Sequence, residues 1–292
     1  MMNVPRPAGF LWALASLAAL SGGCSLTAER AHGGWLRTPV GKVYYETAGA
    51  GEAVVLIHGG QMDCRIWDEQ MALLAPSYRV IRYDVRGYGG SPAPSGVYSQ
   101  FDDLAALLDR LGVAKAHVVG LSLGGAVAID FAIAHPDRVK KVVAVAPGLG
   151  GFDWSPRAWD WVQPIIEAAQ DNDRARLADL WLANPMMQAA AANPAVAPRV
   201  RRLVMENLEC WLVNSSLEKS LRPPSAKRLA EIKAPILVIV GDRDIPDMQR
   251  AAEKIAKEVP AAHKLVISGA GHIVNMERPE EFNRALLDFL GP

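Results

Sequence analysis

Residues 116–120 read as a strand and lead into Gly120-Leu121-Ser122-Leu123-Gly124-Gly125, after which a helical pattern begins. A serine with glycine two positions away on each side fits a strand-to-helix turn too sharp for larger neighbours, with the hydroxyl lifted above the strand ends. The helix starting there points its N-terminus, worth about half a positive charge, at the same spot. A serine so placed can attack a carbonyl carbon, but only when a base takes its proton.

Six histidines are available for that role. His32 lies behind the N-terminal apolar run, His117 and His263 open strands, and His135 precedes Pro136 at a helix end. His58 stands before Gly59-Gly60 and reads as an organiser of that loop. His272, in Gly269-Ala270-Gly271-His272, follows the last strand pattern. Functional side chains concentrate in such loops at strand ends, and His272 is the expected base.

A carboxylate must then hold the imidazole in one tautomer and stabilise its charged form. Three aspartates crowd the loop after residues 235–241. Asp244, at the crest, is the expected acid, with two alternatives. Asp242 directly follows the strand's closing glycine and suits the tying of backbone amides in a turn. Asp247, behind Pro246, suits a helix N-cap. The strand before His58 ends in Gly59-Gly60, where the backbone can approach a ligand closely. The amides of Gly60 and Leu123 are the expected oxyanion hole, each donor typically worth ~10²–10³ in rate.

The elements that must position these residues alternate. Strand patterns at 35–38, 42–47, 53–58, 79–84, 116–120, 139–146, 235–241 and 264–268 are mostly Val-, Ile- and Leu-rich with little alternation, as in strands buried on both faces. Helical patterns fall at 67–75, 100–111, 125–135, 247–259 and 279–290. This rhythm predicts an α/β fold with a mostly parallel, eight-stranded sheet flanked by helices. It breaks at 148–233, which offers only helical patches at 156–170, 173–184 and 198–215. That stretch is expected to be a helical cap inserted into a core formed by 33–147 and 234–292. It holds five of the eight tryptophans, Trp154, Trp159, Trp161, Trp181 and Trp211. Trp159, Trp161 and Trp211 are candidates for a substrate pocket, although each could equally glue cap helices to the sheet.

Lys plus Arg equals Asp plus Glu, 31 against 31, so no basic surplus is present to neutralise nucleic-acid phosphates. No phosphate-binding glycine loop, metal-ligand cluster or flavin motif stands out, and no cofactor is expected. Arg6 is the only charge in the first 28 residues, followed by an apolar run at 10–20 and Ser21-Gly22-Gly23-Cys24. Residues 1–24 are therefore expected to direct export. The segment is similar to a bacterial lipobox, with Leu20 four rather than three positions before the cysteine. That likeness implies lipidation of Cys24 and a membrane-anchored protein outside the cytoplasm, with plain cleavage to a periplasmic or extracellular protein, or an uncleaved anchor helix, as the alternatives. Of the other cysteines, Cys64 and Cys210 read as buried thiols, with pairing the alternative.

From about Gly33 onward the chain resembles the α/β-hydrolase superfamily. The likeness rests on His58-Gly59-Gly60 with Trp67 downstream, Asp84-Val85-Arg86-Gly87-Tyr88-Gly89-Gly90-Ser91, the serine turn, Gly241-Asp242-Arg243-Asp244, and Gly271-His272 followed by Glu277-Arg278-Pro279. The order Ser122, Asp244, His272 is that superfamily's order. Asp244 matches its Gly-x-x-Asp position, while Asp153 stands where some members carry the acid. The resemblance implies a serine hydrolase acting on a small carboxylic ester, thioester or lactone. C–C bond hydrolysis or perhydrolysis by the same residues is the runner-up, and a non-catalytic binder on the same scaffold the third reading. Members that use aspartate as nucleophile are disfavoured by Ser122. C–C hydrolases often carry an aromatic soon after the histidine, where Ile273 and Val274 stand here.

Overall fold

The structure, a computed structural model, describes residues 32–291. The expected export segment and Cys24 lie outside the described residues. Eight strands form one sheet: β1 His32–Thr38, β2 Gly41–Ala48, β3 Ala53–Ile57, β4 Arg79–Tyr83, β5 Ala116–Leu121, β6 Val139–Val145, β7 Ile236–Gly241 and β8 Ala262–Ile267. Their spatial order is β1-β2-β4-β3-β5-β6-β7-β8. The hairpin β1–β2 is antiparallel and joins β4 antiparallel, and all remaining neighbours are parallel.

β3, β5 and β7 are buried at every position, as their largely apolar runs require, with His117 of β5 the one polar side chain among them. Alternate residues serve opposite faces. Val54 and Leu56 join one apolar cluster, Val55 and Ile57 the other. The first face is covered by α1 (Asp68–Leu74) and by the C-terminal helix, the second by α2 (Gln100–Arg110) and α3 (Leu123–Ala134). β8 is an edge strand, and Lys264 and Val266, which share one of its faces, are exposed while Ile267 is buried.

Between β6 and β7 the chain leaves the sheet for a helical insertion carrying α4 (Val162–Gln170), α5 (Arg174–Ala183), α6 (Gln188–Ala191) and α7 (Ala197–Glu206). After β7 come α8 (Pro246–Glu258), α9 (Val274–Glu277) and α10 (Pro279–Leu290). Ile165, Leu177, Val200 and Leu203 of the insertion belong to the same cluster as Leu56, Leu121 and Val145, so it is packed onto the sheet through shared core.

Two helical patches differ from expectation. Residues 156–161 form turns, and the helix starts only at Val162. The indole of Trp161 donates to Ala158 O at 2.9 Å, and the amides of Ala158, Asp160 and Val162 each bond three residues back, which substitutes for a helical ladder. The patch at 198–215 is α-helical only to Glu206 and continues as a short 3-10 helix over Leu208–Leu212. At Asn207 the side chain turns away to donate to Asp63 Oδ2 (2.7 Å) and to accept from the Gly89 amide (2.6 Å), fastening the insertion to two core loops. Cys64 and Cys210 are free and buried, so the pairing alternative is not realised.

Candidate active site

Ligand sites in open α/β sheets form beyond the carboxyl ends of the strands, where strand order reverses. Here β3 has β4 on one side and β5 on the other, and the loops after β3, β5, β7 and β8 carry the residues singled out above.

Ser122 closes β5 and caps α3 with φ +52°, a left-handed conformation costly for a residue with a Cβ. The strain is overdetermined by its surroundings. Its amide donates to Val145 O at 2.8 Å, and its carbonyl accepts from Ala126 and Gly148. A side chain at Gly120 would collide with the backbone of Gly124, and one at Gly124 with the carbonyls of Ile57 and His58. α3 begins directly at Leu123, two residues earlier than its apolar pattern suggests, because those glycines let the first turn pack against β3. The Leu123 amide is thus one of the helix's unpaired N-terminal donors.

The loop after β3 is braced by His58. Val85 N donates to its Nε2 at 2.9 Å, so its proton sits on Nδ1, which meets Gly59 O at 2.7 Å. This buried neutral ring fixes the path of Gly59-Gly60. Gly60 and Leu123 both line the cavity that Ser122 faces. Nearby, the side chains of Asp63, Cys64 and Asp84 converge within 4.8 Å. Their carboxylates are already engaged: Asp84 accepts from the amides of Cys64 and Gly90, Asp63 from Arg65 and Asn207. Burial pushes the Cys64 thiol up, away from the thiolate that would bind a metal. These groups serve to tie loops.

His272 and Asp244 meet across the loops after β8 and β7. His272 Nδ1 lies 2.8 Å from Asp244 Oδ2, and both side chains are buried. Asp244 Oδ1 accepts from the Ile245 amide at 2.8 Å, and Gln249 donates to the Asp244 carbonyl at 2.9 Å, which pins the loop. An ionised carboxylate only accepts, so Nδ1 carries the proton and Nε2 keeps its lone pair. Burial pulls the His272 pKa down, but the charge and hydrogen bond of Asp244, with the charge of Glu277, outweigh it and hold the pKa above the usual histidine value. His272 lines the same cavity as Ser122, without a hydrogen bond to it among the described residues.

The other aspartates are occupied elsewhere. Asp242 accepts from Ser268 Oγ (2.9 Å) and the Gly269 amide (2.7 Å), bridging the loops after β7 and β8. Asp247 does not cap α8; Ile245 holds that position and Pro246, at the first helical position, has no N–H that would need a capping acceptor. The Asp247 carboxylate instead accepts from the amide (3.1 Å) and hydroxyl (2.5 Å) of Ser155 and pairs with Arg250, anchoring the start of the insertion. The side chain of Asp153 is exposed.

Sequence reasoning gave Glu277 no role beyond its place in Glu277-Arg278-Pro279. The structure shows its buried carboxylate gripping both amides that bracket His272, with Oε2 accepting from Gly271 and Oε1 from Ile273 at 3.3 Å. The signal was an acid following a loop histidine by one helical turn and a residue, inside an otherwise apolar segment.

The cavity has a volume of about 340 Å³. The insertion supplies much of its wall, including Trp159, Trp161 and Trp211 together with Trp154 and Trp181. The five rings form an unbroken series of edge-on or tilted contacts with centroids 5.3, 5.7, 5.5 and 6.0 Å apart. They also pack against one another, so the pocket and packing roles coexist in the same side chains.

Comparison with known proteins agrees with this geometry. The sequence profile of the Alpha/beta hydrolase family matches residues 54–285. A 2-hydroxy-6-oxononadienedioate/2-hydroxy-6-oxononatrienedioate hydrolase of Burkholderia vietnamiensis is 30% identical over 85% of this chain and 91% of its own. Among solved structures, the enol-lactonase from Burkholderia xenovorans LB400 is similar at 28% identity and TM-score 0.72, covering 88% of this chain and 99% of its own. A thermophilic esterase from Thermogutta terrifontis is similar at 27% identity and TM-score 0.75, covering 89% and 98%.

Proposed function

The chain belongs to the α/β-hydrolase family and is an enzyme of that fold, and from this premise we propose that it cleaves a carboxylic ester, thioester or lactone through an acyl-enzyme on Ser122. The observation that carries the reading is the buried Asp244–His272 hydrogen bond, with His272 and the strained Ser122 on one cavity wall. His272 Nε2 takes the Ser122 proton as Oγ attacks the carbonyl carbon. The oxyanion rests on the amides of Gly60 and Leu123. Protonated His272 returns its proton to the leaving alcohol, and water repeats the cycle on the acyl group. Turnover of a 4-nitrophenyl ester, with a fluorophosphonate probe labelling Ser122, tests the reading. Neither turnover nor labelling by folded protein would refute it.

C–C bond hydrolysis is the second reading, favoured by the Burkholderia vietnamiensis relative. The same base and oxyanion donors would serve it, with a carbanion in place of an alkoxide as leaving group.

Glu277 acts on this chemistry through His272. A base must be unprotonated to work, so kcat/KM rises with pH through the His272 pKa. Asp244 and Glu277 both raise that pKa. Removing the Glu277 charge lowers it, so Glu277→Gln is expected to move the acid limb of the pH–rate profile to lower pH. It also replaces one acceptor of the loop's two amides with a donor, and a loosened His272 should lose up to about 10²-fold in kcat. A profile that keeps its acid limb where wild type has it would refute the coupling.

We also propose, from residues 1–24, that the protein is exported and anchored through lipid on Cys24. Cell fractionation is the check. Wild type should sit in the membrane fraction and Cys24→Ser should leave it, whereas an unprocessed Cys24→Ser protein still in the membrane would point to an uncleaved helix.

A further inference from the structure

We propose that the cavity takes substrates uncharged outside the reacting carbonyl, with a ring-sized apolar group against the tryptophan wall, and turns away substrates that carry a carboxylate. The proposal rests on the serine-hydrolase reading and narrows its substrate class.

No Lys, Arg, Asp or Glu side chain is found among the described residues that line the cavity. Five tryptophans and three methionines, Met62, Met186 and Met248, dominate it. Its one ionisable imidazole, His272, is already paired with Asp244. Arg250 stands behind the wall, 5.5 Å from the Phe152 ring, and is committed to Asp247. The amides of Gly60 and Leu123 are reserved for the oxygen of the reacting carbonyl. A carboxylate entering elsewhere would shed its hydration and meet neither a cation nor a set of free amides, and a buried charge without partners is strongly disfavoured.

Neutral polar groups are served better. Tyr88, whose hydroxyl burial keeps protonated, and Gln61 line the cavity beside Gly60 and can hydrogen-bond an ether, ketone or hydroxyl, whereas to a carboxylate they would offer hydrogen bonds but no positive charge to offset its burial. The tryptophan series runs from Trp159, which is 41% exposed, inward to Trp181, which is 3% exposed. An aromatic guest can continue the edge-to-face pattern that these rings already make. The volume of about 340 Å³ lies at the low end of the ~300–1,000 Å³ typical of ligand pockets, which suits one or two rings and excludes bulky lipids. This sets the chain apart from its relative named for a dioate, whose substrate carries two carboxylates.

The experiment compares kcat/KM for dimethyl terephthalate and monomethyl terephthalate, each corrected for its alkaline hydrolysis rate. The neutral diester is expected to be preferred by at least about 10²-fold. Met186→Arg, which places a cation in the wall, should shrink that ratio at least about tenfold, and Met248→Lys is the substitute should the first variant fail to fold. In a second arm, Trp159→Ala and Trp211→Ala should lower the ratio of methyl benzoate to methyl acetate turnover. Diester and monoester cleaved within about threefold of each other would overturn the proposal while leaving the hydrolase reading standing. Folded protein that cleaves none of the esters and resists the serine probe would overturn the hydrolase reading, and this proposal with it.

Discussion

Ser122→Ala is expected to lower kcat for ester hydrolysis by roughly 10⁶-fold, the scale on which removing a serine nucleophile disables a triad enzyme. The loss should be this large because the parts act as a unit. Without Oγ, His272 has no proton to take and no acyl-enzyme forms, and what remains is positioning and the donors of Gly60 and Leu123. The fold should not suffer. The Ser122 side chain makes no cap bond to α3, and the bonds that hold the turn, to Val145, Ala126 and Gly148, are all made by its backbone. Alanine keeps a Cβ at φ +52°, so the strain is unchanged. Circular dichroism and melting temperature should therefore match wild type while ester turnover and fluorophosphonate labelling vanish. A variant retaining more than a few per cent of the wild-type rate would mean that another nucleophile does the work.

Much of the sheet was legible because burial on both faces leaves a compositional mark. β3, β5 and β7 are largely apolar runs, and each leads into a loop with glycine and a candidate site residue. The serine turn was legible for a related reason, since the close approaches at Gly120 and Gly124 exclude every larger residue. The interactions that escaped join residues far apart in the chain. Nothing near Asp247 signals that Ser155 will take its carboxylate, so the local grammar of Pro-Asp at a helix start suggested a cap. Asn207 carries no local mark that would stop the helical patch running through it, yet its amide fastens the insertion to Asp63 and Gly89. The insertion was hardest to read, because most of the side chains it gives the cavity come from turns and short 3-10 segments rather than from one helix face, and residues 156–161 became turns despite a helical composition.

The identity of the acid yields the other large effect. Asp244→Asn is expected to lose about 10⁴-fold in kcat with little change in structure. Asp244 spends both carboxylate oxygens as acceptors, Oδ1 on the Ile245 amide and Oδ2 on His272 Nδ1. An asparagine has one oxygen to offer. Turned toward Ile245, it leaves its NH₂ facing Nδ1, and the imidazole must move its proton to Nε2, where it can no longer accept from Ser122. Turned toward His272, it sets NH₂ against the Ile245 N–H and disturbs the loop. The lost charge acts in the same variant with a separate signature, since Asp244 raises the His272 pKa and its neutralisation moves any residual acid limb to lower pH. Asp242→Asn is the matched control. Its carboxylate touches only Ser268 and Gly269, so this variant should keep wild-type kcat to within about threefold and lose on the order of 1 kcal/mol of stability from weakened loop bonds. Steady-state kinetics on the pair separates the assignments. A crippled Asp242→Asn beside a fully active Asp244→Asn would move the acid to Asp242. Two active variants would mean that His272 needs no carboxylate, and the buried 2.8 Å bond would then be structural.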